Sequence, residues 1–442
     1  MTIPLDNPRA RGAAWLIPLT AVAIIGCARD GLAPVASEAA VTVQYKADGP
    51  VNWGQRGRVV EASVLRTYTR QEAAAALLDR KPGPGALEAF DTIYNVVQYA
   101  MKYTTVNALG ERTVASAAVF IPDTTGLSLP MVSFSHGTQT DKHKVPSTLA
   151  FINPQGVINA THGSVTVLTD YLGMGADSGH ITAYLIADAE ANSSLDALRA
   201  ARRLVRSVGL KLDGRLFLYG YSEGGSVSMA LAHEIESDPR SGFRVTAFAP
   251  MAGAYAVYQS GREALLAPPL IPGSTGTVFL LSTYQAVYHL APTLGDLLVS
   301  PYDVLGEKLI TDGMLDADAQ AVFGGRHPRE VMTAAAIDAW KNDPESPLSR
   351  ALRANATYEW LPRAPMRLYY GTNDITVNPR NTAIADSVMR GLGATAIEVV
   401  PIAGLNHNQA QWPAYISARR WFDSFPVPVE AAEDGDAADD GR

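Results

Sequence analysis

The chain has 442 residues, 47% of them hydrophobic and 18% charged, a balance that excludes a wholly disordered or fibrous protein. Its formal net charge is -8, whereas a nucleic-acid binder would carry a basic excess, so no nucleic-acid partner is expected. A single cysteine, Cys27, excludes an intramolecular disulfide framework and any CxxC zinc site.

The first twelve residues are slightly positive through Arg9 and Arg11, and Ala13 to Gly26 is uncharged and broken by Pro18. Such a run is too short to span a bilayer but suits a signal-peptide core. Ile24-Ile25-Gly26-Cys27 resembles the lipobox of bacterial lipoproteins, which implies a signal peptide over 1–26 and lipidation of Cys27. The mature protein would then reach the membrane through an N-terminal lipid anchor. Ala28 rather than aspartate follows the cysteine, so in a Gram-negative host the outer membrane or cell surface is the expected location. Residues 27–55 read as a tether. Residues 426–442 read as a disordered tail, with six acids against Arg442 alone from Glu430 onward.

Between these ends, Val96 to Thr105 and Thr113 to Ile121 form a hairpin pattern around Asn107-Ala-Leu-Gly110. Compact apolar runs follow at Met131 to Ser135, Val165 to Thr169, Leu216 to Tyr219, Val245 to Ala249, Met366 to Tyr370 and Ala396 to Val400. Longer stretches separate them, such as Ala187 to Val208, whose Leu195, Leu198, Ala201 and Leu204 recur at helical spacing. This alternation predicts an α/β fold with a mostly parallel central sheet flanked by helices, its core made of 56–250 and 366–425. In such a sheet the functional loops lie at the carboxyl edge of the strands.

Residues 251–365 break the pattern, being far longer than one crossover requires. Ala264 to Gly295 holds no Asp, Glu, Lys or Arg, yet Pro268, Pro269, Pro272 and Pro292 interrupt it too often for a membrane helix. A cap or lid insertion before the penultimate strand is expected, its apolar underside toward the active edge; a plain structural insertion is the alternative.

The chemistry concentrates after the strands. Gly220-Tyr221-Ser222-Glu223-Gly224-Gly225 is GxSxG between a predicted strand and a predicted helix, the context that makes Ser222 a candidate nucleophile. A serine hydroxyl needs a base, and the base needs an acid to hold its tautomer. Asp374 follows one of the last strands and His407 follows the next, which completes the order Ser, Asp, His. An oxyanion formed there would be met by the amide of Glu223 and the backbone N–H of Thr138 in Ser135-His136-Gly137-Thr138, with the Thr138 hydroxyl as a third candidate donor. The Glu223 side chain is expected to be peripheral and His136 to brace the loop. No dinucleotide fingerprint, P-loop, HExxH or metal-ligand spacing is present, so no cofactor and no metal are predicted.

These motifs resemble the α/β-hydrolases. His136-Gly-Thr138, Asp170-Tyr-Leu-Gly-Met-Gly175, Leu198-Arg-Ala-Ala-Arg-Arg203 and Met251-Ala-Gly-Ala-Tyr255, together with the GxSxG run, resemble the secretory-lipase group of fungal lipase A type and its bacterial lipoprotein relatives. The resemblance implies the α/β-hydrolase fold, a triad of Ser222, Asp374 and His407, an oxyanion hole of Thr138 and Glu223, and an ester or lipid substrate. Acyl transfer or peptide cleavage on the same machinery, or a non-catalytic surface binding lipoprotein, are the alternatives left open.

Overall fold

The computed structural model describes residues 45–46, 55–79, 91–151, 153–266 and 273–428. The lipobox with Cys27 and most of the acidic tail lie outside the described residues. Ten strands form one sheet: β1 (Tyr45–Lys46), β2 (Val59–Tyr68), β3 (Val96–Val106), β4 (Arg112–Pro122), β5 (Ser128–Ser135), β6 (Val165–Thr169), β7 (Lys211–Tyr221), β8 (Ala247–Met251), β9 (Met366–Gly371) and β10 (Ile397–Ile402). Their order is β1-β2-β3-β4-β6-β5-β7-β8-β9-β10. The first five pair antiparallel in that order and β6 through β10 run parallel.

The parallel half is the buried half. Every residue of β6 and β8 is buried, as a strand covered on both faces requires, and neither carries a charged residue. On one face the helix Ala187–Ser207 turns Leu195, Leu198, Ala201 and Leu204 inward, the residues whose spacing predicted it. The β3–β4 hairpin closes where expected: Asn107 Oδ1 accepts the backbone N–H of Leu109 and Glu111, and Gly110 takes φ +78°. Two elements lie where none was assigned. β2 is half-exposed, and Tyr45–Lys46, inside the expected tether, pairs with Glu61 and Ala62.

Between β8 and β9 the described residues hold seven helices, from Val257–Leu266 to Pro347–Ala354. The helix Ser274–Tyr288 lies in the charge-free stretch and is buried along Thr277 to Tyr284, so the missing charges reflect packing on most of its faces. This insertion is fastened to the core by polar bonds from the loop after β5. The Lys142 ammonium, buried, donates to the carbonyls of Thr311 at 2.7 Å, His180 at 2.6 Å and Ser178 at 3.2 Å. Met314 N–H donates to Thr140 O at 2.8 Å, and Asp316 accepts from Thr140 and Lys144.

Lys142→Met keeps the apolar stem and leaves three carbonyls without their donor. It should lower unfolding stability by roughly 3 kcal/mol, read in urea melts.

Candidate active site

Three strand ends and one sharp turn build the site. β7 runs straight into the helix Glu223–Ser237, with Ser222 between them at φ 62°, ψ -124°, a conformation that side-chain-bearing residues seldom hold. The surroundings force it. A Cβ on Gly220 would overlap the Gly224 carbonyl, and a Cβ on Gly224 would overlap the carbonyl of Ser135 at the end of β5. Only glycine lets these backbones approach so closely. Ser222 N–H is held by Met251 O at 2.9 Å, from the end of β8. The strained residue is thus fixed by the sheet on both sides.

Asp374 follows β9, and its side chain is fully buried. Its Oδ1 accepts the backbone N–H of Thr376 and of Val377, both at 2.9 Å. Its Oδ2 lies 2.6 Å from Nδ1 of His407. That contact assigns the Nδ1 proton to the carboxylate side and leaves Nε2 to act on a hydroxyl. His407 opens the helix His407–Phe422 instead of lying in a loop. The preceding Asn406 accepts Gln409 N–H through its side chain, while Gln409 accepts Asn406 N–H in return. Tyr221, beside the nucleophile, donates its hydroxyl to His407 O at 2.6 Å, tying the two loops together.

Ser222 and His407 line one cavity of about 640 Å³, with Gly137, Thr138 and Gln139 on another wall and Gly273, Thr275, Gly276 and Gln320 of the insertion above. Gly137 is so close that a Cβ there would lie 3.8 Å from that of Ser222. The loop bearing Thr138 therefore packs directly on the Ser222 turn. His136 is buried, stacks obliquely on Tyr171 at 4.1 Å, and has its pKa pushed down to about 4 by burial. It is a neutral brace at ordinary pH. Its carbonyl accepts the Tyr171 hydroxyl at 2.6 Å.

One expectation is corrected. The Glu223 side chain is not peripheral: it is buried, and burial pushes its carboxyl up to about 7. The sequence carried a signal for Glu223, an acid inside a turn too tight to be exposed. Glu190, in the first turn of the helix Ala187–Ser207, is buried as well, and for it the sequence carried no signal.

The family model of secretory lipases matches residues 154–239, the segment from the helix before β6 through the Ser222 turn and its helix. Among solved structures, the rice cell wall degrading esterase LipA of Xanthomonas oryzae superposes with a TM-score of 0.70 at 23% identity, covering 83% of this chain and 96% of that one. A protein of Legionella pneumophila superposes at 0.74 and 23%, over 84% of this chain and 100% of that one. Candida antarctica lipase A in its closed state gives 0.59 at 14%, over 87% and 86%. No curated protein matches the chain. The fold is that of the α/β-hydrolases, and the resemblance drawn from the motifs is borne out.

Gly224→Ala has no flexible neighbour to displace and should cost about 3 kcal/mol. Gly391→Ala, at a helix end where a Cβ meets nothing, should be neutral or stabilising by under about 1 kcal/mol. Thermal unfolding of the pair separates the effect of the close approach from that of glycine itself.

Proposed function

We propose that the chain is a serine carboxylic-ester hydrolase, a lipase or long-chain esterase, in which Ser222 is the nucleophile, His407 its base and Asp374 the acid that orients the base. The observation that carries this reading is the 2.6 Å contact between Asp374 Oδ2 and His407 Nδ1 at the wall of a cavity that Ser222 also lines.

In this reading His407 Nε2 takes the Ser222 proton as the oxygen attacks the ester carbonyl. The negative charge that builds on the carbonyl oxygen meets the backbone N–H of Glu223 and Thr138. Glu223 is also the first residue of its helix, whose N-terminal dipole favours that charge. The imidazolium, stabilised by Asp374, then gives its proton to the departing alkoxide. The alcohol leaves, and water activated by His407 releases the acid and restores Ser222.

The preference for longer acyl chains rests on space. A second cavity of about 180 Å³ adjoins the first, sharing Tyr184, Gly273, Gly276, Thr376 and Val377 and continuing between Val257, Leu265, Leu280 and Trp340. Its lining is largely apolar, as a hydrocarbon tail requires. A fluorophosphonate should label the protein at Ser222, with labelling abolished in Ser222→Ala of unchanged thermal stability. On p-nitrophenyl esters from acetate to palmitate, kcat/KM should rise beyond butyrate. Folded protein that takes no label refutes the hydrolase reading. A profile that falls steadily from acetate refutes only the long-chain part.

Export is supported by the secretory-lipase match and by the hydrophobic run before Cys27, and we place the protein on the membrane through that cysteine. Among the described residues no helix is long and apolar enough to cross a membrane. Metabolic labelling with palmitate should mark the protein and be lost in Cys27→Ser; equal labelling of both would overturn the anchor.

A further inference from the structure

Ser222 and His407 occupy the carboxyl edge of the parallel strands. At the opposite, amino edge lies a separate cavity of about 230 Å³. Among the described residues its lining holds four arginines and no acid. Arg202 and Arg206 come from the end of the helix Ala187–Ser207, Arg215 from β7, and Arg244 from the segment that enters β8. Positive charge gathers here in a chain whose formal net charge is -8. A helix dipole favours cations in the last turn, which accounts for Arg206. It does not account for the guanidiniums brought in from β7 and from the approach to β8.

A bulge in β7 builds one wall. Leu129 of β5 pairs with Leu212 and Met131 with Leu216, so Asp213, Gly214 and Arg215 stand opposite Pro130 alone. Gly214 takes φ +84° there, a conformation open to glycine. Asp213, whose side chain is fully buried, fastens Arg215 on both sides. Its Oδ1 accepts the Arg215 backbone N–H at 2.9 Å, and its Oδ2 accepts Nε at 2.9 Å and Nη2 at 2.6 Å. Arg215 Nη1 donates to the carbonyl of Phe425 at 2.9 Å. Each terminal nitrogen still carries a second N–H. Arg202 is fixed in another way: Nη2 donates to Gly242 O at 2.6 Å, and the guanidinium carbon sits 3.7 Å over the Phe243 ring. Two guanidiniums are thus held in place by the protein itself, while Arg206 and Arg244 are exposed.

We propose that this cavity binds a phosphomonoester, with Arg202 and Arg215 as its fixed donors and Arg206 and Arg244 closing on the same group. The planar fork of arginine matches paired oxygens on one phosphorus, and several forks converging suit a phosphate better than a carboxylate, which has fewer oxygens and less charge. Like charges around one cavity repel, and a dianion among them turns that repulsion into attraction. Met131 and Leu216, both buried, give the cavity an apolar side against which the organic part of the ligand can rest. The phosphate could belong to a free metabolite or to a lipid headgroup; the chemistry that recognises it is the same. Since the cavity lies away from Ser222, its occupation does not depend on the hydrolase reading.

The test is calorimetric titration of the full chain with inorganic phosphate and with glycerol 3-phosphate, at neutral pH and fixed ionic strength, with chloride as the control anion. Both phosphates should bind at one site with Kd below about 1 mM, and chloride should not. Arg244→Gln and Arg202→Gln should each weaken binding roughly 10-fold, the size of one lost charge-assisted contact. Arg215→Lys keeps the charge but loses the fork, and should weaken binding by a similar factor. If Arg215→Lys fails to fold because of its tie to Asp213, the exposed Arg244 carries the test. Flotation with phosphatidylcholine vesicles containing phosphatidic acid identifies the source. Co-flotation that needs phosphatidic acid and weakens in Arg244→Gln marks a lipid headgroup; phosphate binding without it marks a free phosphomonoester. Absence of saturable binding, or an affinity unchanged in folded Arg244→Gln and Arg202→Gln, overturns the proposal. Phosphate that binds only after removal of residues 430–442 overturns it too, since the acids of that segment would then be the occupant.

Discussion

The site depends on how closely three backbones meet behind Ser222. The carbonyl at the end of β5, the turn leaving β7 and the first turn of the helix Glu223–Ser237 lie at distances that leave no room for a Cβ on Gly220 or Gly224. Gly225 is under the same constraint from the opposite side, against Met251 O and Gly253. Strain at Ser222 and at Ala252 (φ 45°) is the consequence, and each is held by a strong cross-strand hydrogen bond, to Met251 O and Tyr369 O respectively. The Ser222 turn is therefore locked into four neighbouring strands. Its side chain projects from the sheet edge because the backbone has no other way to pass.

Around that fixed point the carboxyl groups are treated in two ways. Asp374 is surrounded by donors: two backbone N–H groups and the imidazole. That is an environment for a charge, and the charge is what an imidazolium needs beside it. Glu190 and Glu223 are instead buried, and burial pushes both carboxyls above the usual range. The separation has a simple logic. In the proposed reaction negative charge helps on the His407 side, where positive charge would appear, and hinders on the amide side, where an oxyanion would form.

The legible parts were those set by local pattern or by chain order. Ser222 stood in a strand–turn–helix run, while Asp374 and His407 each followed a compact apolar run, so a parallel sheet had to bring all three to one edge. Thr138 was legible for the same reason, since its loop follows β5. The burial of Glu190 was not, because it depends on how its helix packs, and its neighbours in sequence do not differ from those of a solvent-facing acid. β2 escaped notice because only Val59 and Ala62 of its ten residues are buried, which leaves no alternation to read. Two capping signals were readable and unused: Thr69 with Glu72, and Asn406 with Gln409, the latter marking His407 as the start of a helix.

The insertion and the loop bearing Thr138 are mechanically one unit. Residues 138–144 carry the Thr138 N–H at one end, and within six residues make five polar bonds to the insertion: Thr140 O with Met314 N–H, two from Thr140 to Asp316, Lys142 to Thr311 O, and Lys144 to Asp316. At about 1 kcal/mol each, and more where charge is involved, lifting that end of the insertion as a rigid body would cost several kcal/mol and would drag the Thr138 loop with it. The helix Ser274–Tyr288 is differently placed. It reaches the cavity through Thr275 and Gly276, and at Gly276 a Cβ would meet only the Tyr184 hydroxyl, at 3.7 Å. Any adjustment to a bulky acyl chain is cheapest there, in the apolar part of the insertion, where no bond to the Thr138 loop has to break. Binding and catalysis can thus vary separately: the geometry that holds charge is fastened through Lys142 and Asp316, and the surface that receives hydrocarbon is free of them.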